Sequence, residues 1–490
     1  MIRVAVRARY SPLVAAALLA GCSLYSPSAS GGFQPASHEV GSGSSSGYIQ
    51  HVVIVIQENR SFDDLFSTFP GADGTSGGCM AAPSRLRSSL VPRSHLRSAP
   101  CPTGDEYVPL QKVNLVAPCD YNHHYNTFLD DYDNGLMDGF GSENGNKVTC
   151  PGKAGTAVYQ YVDPQQIAPY WTIAQQYVLG DHMFQTQGSG SFTAHQDLVA
   201  ASTVLDGAKT KSLVDFPDHT PWGCDAPAGT KTDQLFFNGS KLQDQYHKGP
   251  FPCLTYETLR DLLDAKSVSW KYYSPPVFNK RSGAHAAGSL WNAFDAIKAV
   301  RKGSEWKSNI AQPKIFFSDV KHGTLPAVSW IIPDETNSDH PGNASDTGPS
   351  WVASIVNAIG ESPYWDSTAI VVVWDDWGGF YDHEPPAFFD NWGGLGLRVP
   401  MLVVSAYARE AYPSQPGYIS HTQYEFGSVL RFIENTWALG TLGTTDQRAT
   451  SIVDCLDFTQ PPRAFTPIPS KYSRRYFEHQ PPSNEPVDTQ

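Results

Sequence analysis

His51-Val-Val-Ile-Val-Ile-Gln-Glu58-Asn59-Arg60-Ser61-Phe62-Asp63 is the stretch from which the fold is read. The unbroken β-branched run from Val52 to Ile56 predicts a strand buried on both faces, and it ends abruptly in polar groups. In an open α/β sheet, ligands bind beyond the carboxyl ends of such strands. The design returns at Thr368-Ala-Ile-Val-Val-Val-Trp374, which runs straight into Asp375-Asp376-Trp377-Gly378-Gly379. Two buried strands thus carry Glu58, Asn59, Asp375 and Asp376 toward one place. Three carboxylates and an amide are an oxygen-rich set suited to one divalent cation. Taken singly, each acid is more simply a helix cap or a solvated strand end. It is the pairing of two strand ends that favours the ion.

The remaining composition suits a large α/β body. A chain of 490 residues accommodates two or three average domains, or one enzyme with insertions. Only 17% of residues are charged, against 40% hydrophobic, and 41 Gly and 38 Pro imply a compact core wrapped in ordered loops. The net charge of −13 argues against a nucleic-acid partner, which demands a basic face. A small phosphorylated substrate stays open, because a metal and a few histidines supply positive field locally.

Residues 1–22 read as an export signal: Arg3, Arg7 and Arg9 precede an apolar Leu13–Ala20 too short to span a bilayer permanently. Leu19-Ala20-Gly21-Cys22 resembles a bacterial lipoprotein box, which implies cleavage before Cys22 and its acylation. The plainer alternative is a secretory signal with a chance cysteine. The expected location is the bacterial cell envelope, lipid-anchored in the periplasm or at the outer membrane, or else outside the cell. Residues 23–47 form a Ser/Gly tether, and 48–490 a single domain. The other seven cysteines allow up to three disulfides and one free thiol. Proximity suggests Cys224–Cys253 and pairs among Cys79, Cys101, Cys119 and Cys150. Arg85, Arg87, Arg93 and Arg97 lie in a stretch read as a solvated loop, with a basic lipid anchor as the rival.

Glu58-Asn59-Arg60-Ser61-Phe62-Asp63, followed by Phe69-Pro70-Gly71-Ala72-Asp73-Gly74, resembles the opening signature of the bacterial phosphoesterase family. That family joins non-haemolytic phospholipases C to a group of acid phosphatases. Asp375-Asp376-Trp377-Gly378-Gly379-Phe380-Tyr381-Asp382-His383-Glu384-Pro385-Pro386 resembles its late signature, with Asp376 where the usual form has Glu. The resemblance covers roughly residues 50 to 437. It implies an alkaline-phosphatase-like three-layer α/β/α sandwich with a mostly parallel central sheet and loop and helix insertions. The alternation of strand and helix patterns points the same way. A cap insertion is expected around 205–325.

The resemblance also assigns roles. It matches Glu58, Asn59, Asp375 and Asp376 to a single-metal ligand set. Oxygen donors suit calcium, magnesium or manganese, with iron and zinc left open. Gly190-Ser191-Phe192-Thr193-Ala194-His195 matches the nucleophile segment, with Thr193 in place of Pro. Ser191 is accordingly the nucleophile and Ser189 the fallback; otherwise Ser191 is an ordinary cap of the helix predicted over Phe192–Ala201, and His195 a packing or orienting residue. Of His123 and His124, spacing back from Gly135-Leu136-Met137-Asp138-Gly139-Phe140 favours His123 as an active-site histidine over a cap. His340, in Asp339-His340-Pro341-Gly342 after the strand Val328–Ile332, is the second, against the default of a surface loop residue. His285 is not assigned. Periodicity further predicts helices over Ser289–Val300 and Ser420–Trp437.

The expected function is metal-dependent hydrolysis of a phosphoric ester through a phosphoserine, of the acid phosphatase type. A phospholipase C acting on lipid head groups is the alternative. A non-enzymatic envelope lipoprotein, binding a glycan or partner through its 12 Trp and 23 Tyr, is the third reading.

Overall fold

The computed structural model describes residues 45, 47–82, 101–116, 119–142, 144–145, 150, 152–239, 242–278, 286–387, 394–411, 417–481 and 483. The signal segment, Cys22, the tether as far as residue 44, the four arginines between residues 85 and 97, and His285 lie outside the described residues.

The central sheet contains β1 (His51–Gln57), β2 (Val178–Phe184), β3 (Trp270–Tyr273), β4 (Ile310–Ala311), β5 (Val328–Ile331), β6 (Thr368–Trp374), β7 (Arg398–Ser405), β8 (Tyr418–Ser420) and β9 (Tyr424–Glu425). Their order is β4-β3-β5-β1-β6-β7-β2-β8, with β9 also on β2. Every pairing is parallel except those of β7, which runs against both β6 and β2. The expected, mostly parallel α/β sheet is what the chain builds.

Helices cover both faces, and the register shows how. Parallel partners share a face, so Ile54↔Trp330 and Gln57↔Trp374 set two directions. Positions 54 and 57 are an odd number apart and point oppositely. The Trp330 indole N–H donates to Leu198 O at 3.2 Å, in α4 (Ser191–Ala200). The Trp374 ring meets Tyr170 edge-on at 4.9 Å, in α3 (Ala168–Gln176). Behind α3 stands a layer in which α7 (Gly348–Gly360) packs on α3, α6 (Pro313–His322) and α9 (Arg474–His479). On the other face α4 packs on α5 (Leu259–Ala265) and α8 (Phe426–Trp437). Two further helices, α1 (Phe62–Phe66) and α2 (Tyr125–Tyr132), follow the first strand and the first histidine pair.

Val52 to Ile56 and Ile370 to Val373 are all wholly buried. At about 1.5–3 kcal/mol per side chain, those nine contribute roughly 15–25 kcal/mol. That outweighs the several kcal/mol lost for each buried charge at their ends.

Two helices differ from expectation. The helix predicted from Ser420 starts at Phe426, because Tyr418–Ser420 and Tyr424–Glu425 pair along β2 instead. Its capping box is Glu425 with Ser428. The helix predicted over Ser289–Val300 is broken into short turns. Asn292 is extended there and accepts from Asp295 N–H at 3.2 Å, while Leu254 bridges to Ile297. Of residues 205–325, a separate three-stranded sheet occupies Lys211–Val214, Asp233–Phe237 and Leu242–Gln245, whereas β3 and β4 belong to the central sheet.

Disulfides join Cys79–Cys101, Cys119–Cys150 and Cys224–Cys253, and Cys455 is free and buried. The late segment wraps back over α7: Asn357 and Ile468 exchange two hydrogen bonds at 2.8 and 2.9 Å. Among the described residues no helix is long and apolar enough to cross a membrane.

Candidate metal centre and nucleophile

The alignment of β1 with β6 puts the residues that follow them side by side. Asp375 N–H donates to Gln57 O at 3.0 Å, continuing the ladder one step past the strands. Asn59 then turns into the left-handed region (φ 57°), and its N–H donates to Asp375 Oδ1 at 3.0 Å. Gly378, itself at φ +63°, lies against that turn: a Cβ there would stand 2.4 Å from Asn59 O. The glycine of the late motif is thus required by the close approach of two loops.

Six of the seven residues singled out in the sequence are linked here by direct contacts. Asn59 Nδ2 donates to Asp376 Oδ2 at 3.3 Å and to His123 Nε2 at 3.0 Å. The Ser191 hydroxyl donates to Asp376 Oδ2 at 3.0 Å. Glu58 and Asp375 are joined through a residue that the sequence marks only as packing or orienting: His195 Nε2 lies 3.0 Å from Glu58 Oε1 and 3.6 Å from Asp375 Oδ2. The signal for it was present, since His195 follows Ser191 by four residues and so shares its face of α4. The seventh residue, His340, is buried beside His123. Its ring centre lies 6.4 Å from that of His123, and Trp291 stacks on it at 5.9 Å.

Ser191 is not a cap. Gly190 occupies the N-cap position of α4, with no side-chain hydrogen bond, which leaves the Ser191 hydroxyl free to meet Asp376. Ser189 is engaged elsewhere: its Oγ accepts from Asp215 N–H at 2.7 Å. Asp215, in a stretch that carried no sequence signal, is buried at φ 51° and also takes Tyr125 N–H on Oδ1 at 2.7 Å. One aspartate therefore ties the start of α2, just after His123, to the turn before Ser191.

Both histidines have fixed tautomers. His123 Nδ1 lies 2.7 Å from Tyr121 O, and His340 Nδ1 lies 2.7 Å from Pro341 O. Carbonyls only accept, so each Nδ1 carries the proton and Nε2 remains the basic atom.

The carboxylates are crowded and dry. Glu58, Asp375 and Asp376 are wholly buried, and none forms an ion pair with a lysine or arginine among the described residues. Burial first, then Asp375 and Asp376, pushes Glu58 well above the usual carboxylate range. Burial and then the Asp376 charge lift Asp375 to about 6. Burial lifts Asp376 to about 7, against the pull of Gly378 N–H and the Ser191 hydroxyl. Burial lowers His195 to about 4.

Glu58 Oε2, Asn59 Oδ1 and Asp375 Oδ2 are buried without a hydrogen-bond partner. Donor atoms of Glu58, His195 and Asp375 all lie within 4.8 Å of one another. Acids that repel and oxygens that nothing donates to are what a cation would neutralise, so these residues fit a divalent metal.

A pH dependence follows. Carboxyls whose folded-state pKa lies above the unfolded value stabilise the fold at low pH and lose that contribution as pH rises through about 6 to 7. A metal favours the ionised form, so its contribution runs the other way. The melting temperature of chelator-treated protein is expected to fall between about pH 5 and 8, and the gap to metal-loaded protein to widen. Calorimetry across that range is the check. A constant gap would mean that no metal meets these acids.

A sequence model described as the Phosphoesterase family matches residues 49–440. The chain is 24% identical to the non-hemolytic phospholipase C of Burkholderia pseudomallei over 444 residues, 79% of this chain and 55% of that one. It therefore spans about 55% of that relative's length. It is 24% identical to phospholipase C A of Mycobacterium tuberculosis over 464 residues, 86% of this chain and 79% of that one. Among solved structures, a protein of the alkaline phosphatase superfamily from Vibrio parahaemolyticus is similar at a TM-score of 0.32 and 10% identity, covering 84% of this chain and 73% of that one.

Proposed function

The chain belongs to the Phosphoesterase family, and from that premise we propose that it hydrolyses phosphoric monoesters with Ser191 as nucleophile. The observation that carries the reading is the 3.0 Å hydrogen bond from Ser191 to Asp376, beside three buried oxygens without partners. Asp376 Oδ2, acting as base, takes the hydroxyl proton as Ser191 Oγ bonds to phosphorus and the ester oxygen leaves. A burial-raised carboxyl suits that exchange near neutrality. His340, with Nδ1–H on a carbonyl, would pass a proton through Nε2 to the leaving oxygen, while His123 Nε2 accepts from Asn59 Nδ2 and holds that amide beside Asp376. Water then attacks the phosphoserine, releasing phosphate and restoring Ser191. Glu58, Asn59 and Asp375, with His195 beside them, would hold one divalent ion, while Asp376, the fourth of the set read from the sequence, is engaged with Ser191 as its base. When bound, the ion supplies Lewis acidity toward a phosphoryl oxygen and lowers the pKa of a nearby hydroxyl. Oxygen donors favour calcium, magnesium or manganese, while the His195 imidazole brings zinc and iron into range.

The site is enclosed: Ser191 and His340 are each 3% exposed, which favours a small monoester over a bilayer lipid. The second reading, a phospholipase C, draws on the names of the relatives. In both, the tether and an acylated Cys22 keep the enzyme at the cell envelope, on the strength of Leu19-Ala20-Gly21-Cys22. Turnover of p-nitrophenyl phosphate and of p-nitrophenyl phosphocholine separates the readings. A kcat/KM at least about tenfold higher on the monoester is expected, a difference of 1.4 kcal/mol. The reverse preference selects the phospholipase, and hydrolysis of neither selects a binding protein.

A further inference from the structure

His340 fixes its own ring locally: Nδ1 lies 2.7 Å from Pro341 O, and the His340 N–H donates to Ser338 Oγ at 3.3 Å. Those contacts travel with the loop, so something else must set the distance between the ring and Ser191. The residues next to the expected metal ligands do so. The ladder between β1 and β5 runs as far as Val55↔Ile331, and Pro333 brings no N–H to lengthen it. The Gln57 side chain takes over. Its Nε2 donates to Asn337 O at 3.1 Å, and its Oε1 accepts from Asp339 N–H at 3.1 Å. A parallel strand bonds its neighbour in the same way, one residue reaching two positions that are two apart. The amide thus extends the sheet to the His340 loop, while the Gln57 carbonyl accepts from Asp375 N–H at 3.0 Å.

Asp339, the residue before the histidine, is tied down from several sides. Arg60 Nε donates to its carbonyl at 2.8 Å. The Trp374 indole N–H and the Tyr170 hydroxyl both donate to Oδ2, at 3.1 and 2.7 Å. Oδ1 lies against the start of α7, where a Cβ on Gly348 would stand 2.1 Å from it. The positive end of that helix favours a carboxylate there. Gln57, Arg60, Trp374 and Asp339 are all buried. Three of these anchors adjoin an expected ligand in the chain: Gln57 precedes Glu58, Arg60 follows Asn59 and Trp374 precedes Asp375. The strand ends that carry the ligands therefore carry the His340 loop as well. For a group that must meet a reacting atom, a misplacement of about 1 Å costs about 10²-fold in rate.

We propose that Gln57 and Asp339 are positioning residues for proton delivery, setting the His340 loop so that Nε2 reaches the leaving oxygen. This inference rests on the monoesterase reading and deepens it. As the bond from phosphorus to the ester oxygen breaks, protonated His340 gives its Nε2 proton to that oxygen and becomes neutral imidazole. Solvent then restores the proton. A strongly basic alkoxide needs that proton to leave, whereas a nitrophenolate departs nearly as well without it.

The test compares two esters on the full chain. Gln57→Leu is expected to lower kcat/KM on glycerol phosphate by about 10²-fold and on p-nitrophenyl phosphate by less than about tenfold, with metal content as in wild type. His340→Ala should show the same bias. The double variant should be slower than His340→Ala by no more than about threefold, since both changes act on one proton. Should Gln57→Leu fail to fold, Tyr170→Phe removes one donor to Asp339 at nearly the same volume and carries the test, with about a tenfold loss on glycerol phosphate. Equal losses on the two esters, or losses that multiply with that of His340→Ala, overturn the proposal, because the anchors then only stabilise the fold. A wild type inactive on both esters overturns the monoesterase reading and this inference with it. Failure of the double-variant comparison alone overturns the inference and leaves Ser191 as the nucleophile.

Discussion

Ser191→Ala is expected to lower kcat on a phosphate monoester by about 10³-fold or more, with melting temperature and metal content little changed. The size of the effect comes from what Ser191 contributes. Its hydroxyl is the group bonded to Asp376 Oδ2, at 3.0 Å, and the neighbouring Ser189 is turned away to accept from Asp215. A water molecule in its place lacks the orientation that α4 imposes. Little stability is at stake, because Gly190 and not Ser191 occupies the cap of α4. Rapid quenching should find phosphate on the protein in wild type and none in the variant. Activity within tenfold of wild type would move the nucleophile to another group and sink the reading.

Glu58→Gln and Asp375→Asn should show two effects of opposite sign. Turnover is expected to fall by about 10³-fold, near 4 kcal/mol of barrier, as the bound ion is lost. The stripped variants, however, are expected to melt higher than stripped wild type at about pH 8, because each removes one of three buried charges that repel. The cause is the geometry at the ends of β1 and β6, where His195 Nε2 meets Glu58 at 3.0 Å and its own pKa is lowered to about 4 by burial. A variant that melts lower at that pH would mean the carboxylate is a structural hydrogen-bonding group. The ion would then be held elsewhere.

How much of this could be read beforehand depended on the kind of interaction. The runs Val52–Ile56 and Ala369–Val373 announced buried strands because continuous β-branched residues have few other uses, and their polar endings pointed to the site. Ser191 and His123 come from motif resemblance; without it Ser191 reads as a helix cap and His123 as a cap or packing residue, and it is the spacing back from Gly135 that separates His123 from His124. The i+4 spacing from Ser191 puts His195 on the right face of α4, but it does not name its partners, Glu58 and Asp375, which are 137 and 180 positions distant. Asp215 left no trace for the same reason. The late start of α8 had a different origin. Residues 420–425 read as part of the helix, but β2 offers Ser420, Tyr424 and Glu425 backbone partners that a helix could not match in place.

One feature of the sheet bears on how such an enzyme diversifies. Because β7 alone is reversed, the chain leaving β6 at Trp374 comes back into the sheet at Arg398 on the same side of the molecule. Connections between parallel strands, such as that from β5 to β6, must carry the polypeptide down the full depth of the domain before it re-enters. This excursion need not, so residues inserted into it accumulate over the entrance without rethreading anything beneath. It is the place where evolution, or an engineer, could exchange what the molecule admits while leaving the machinery below untouched.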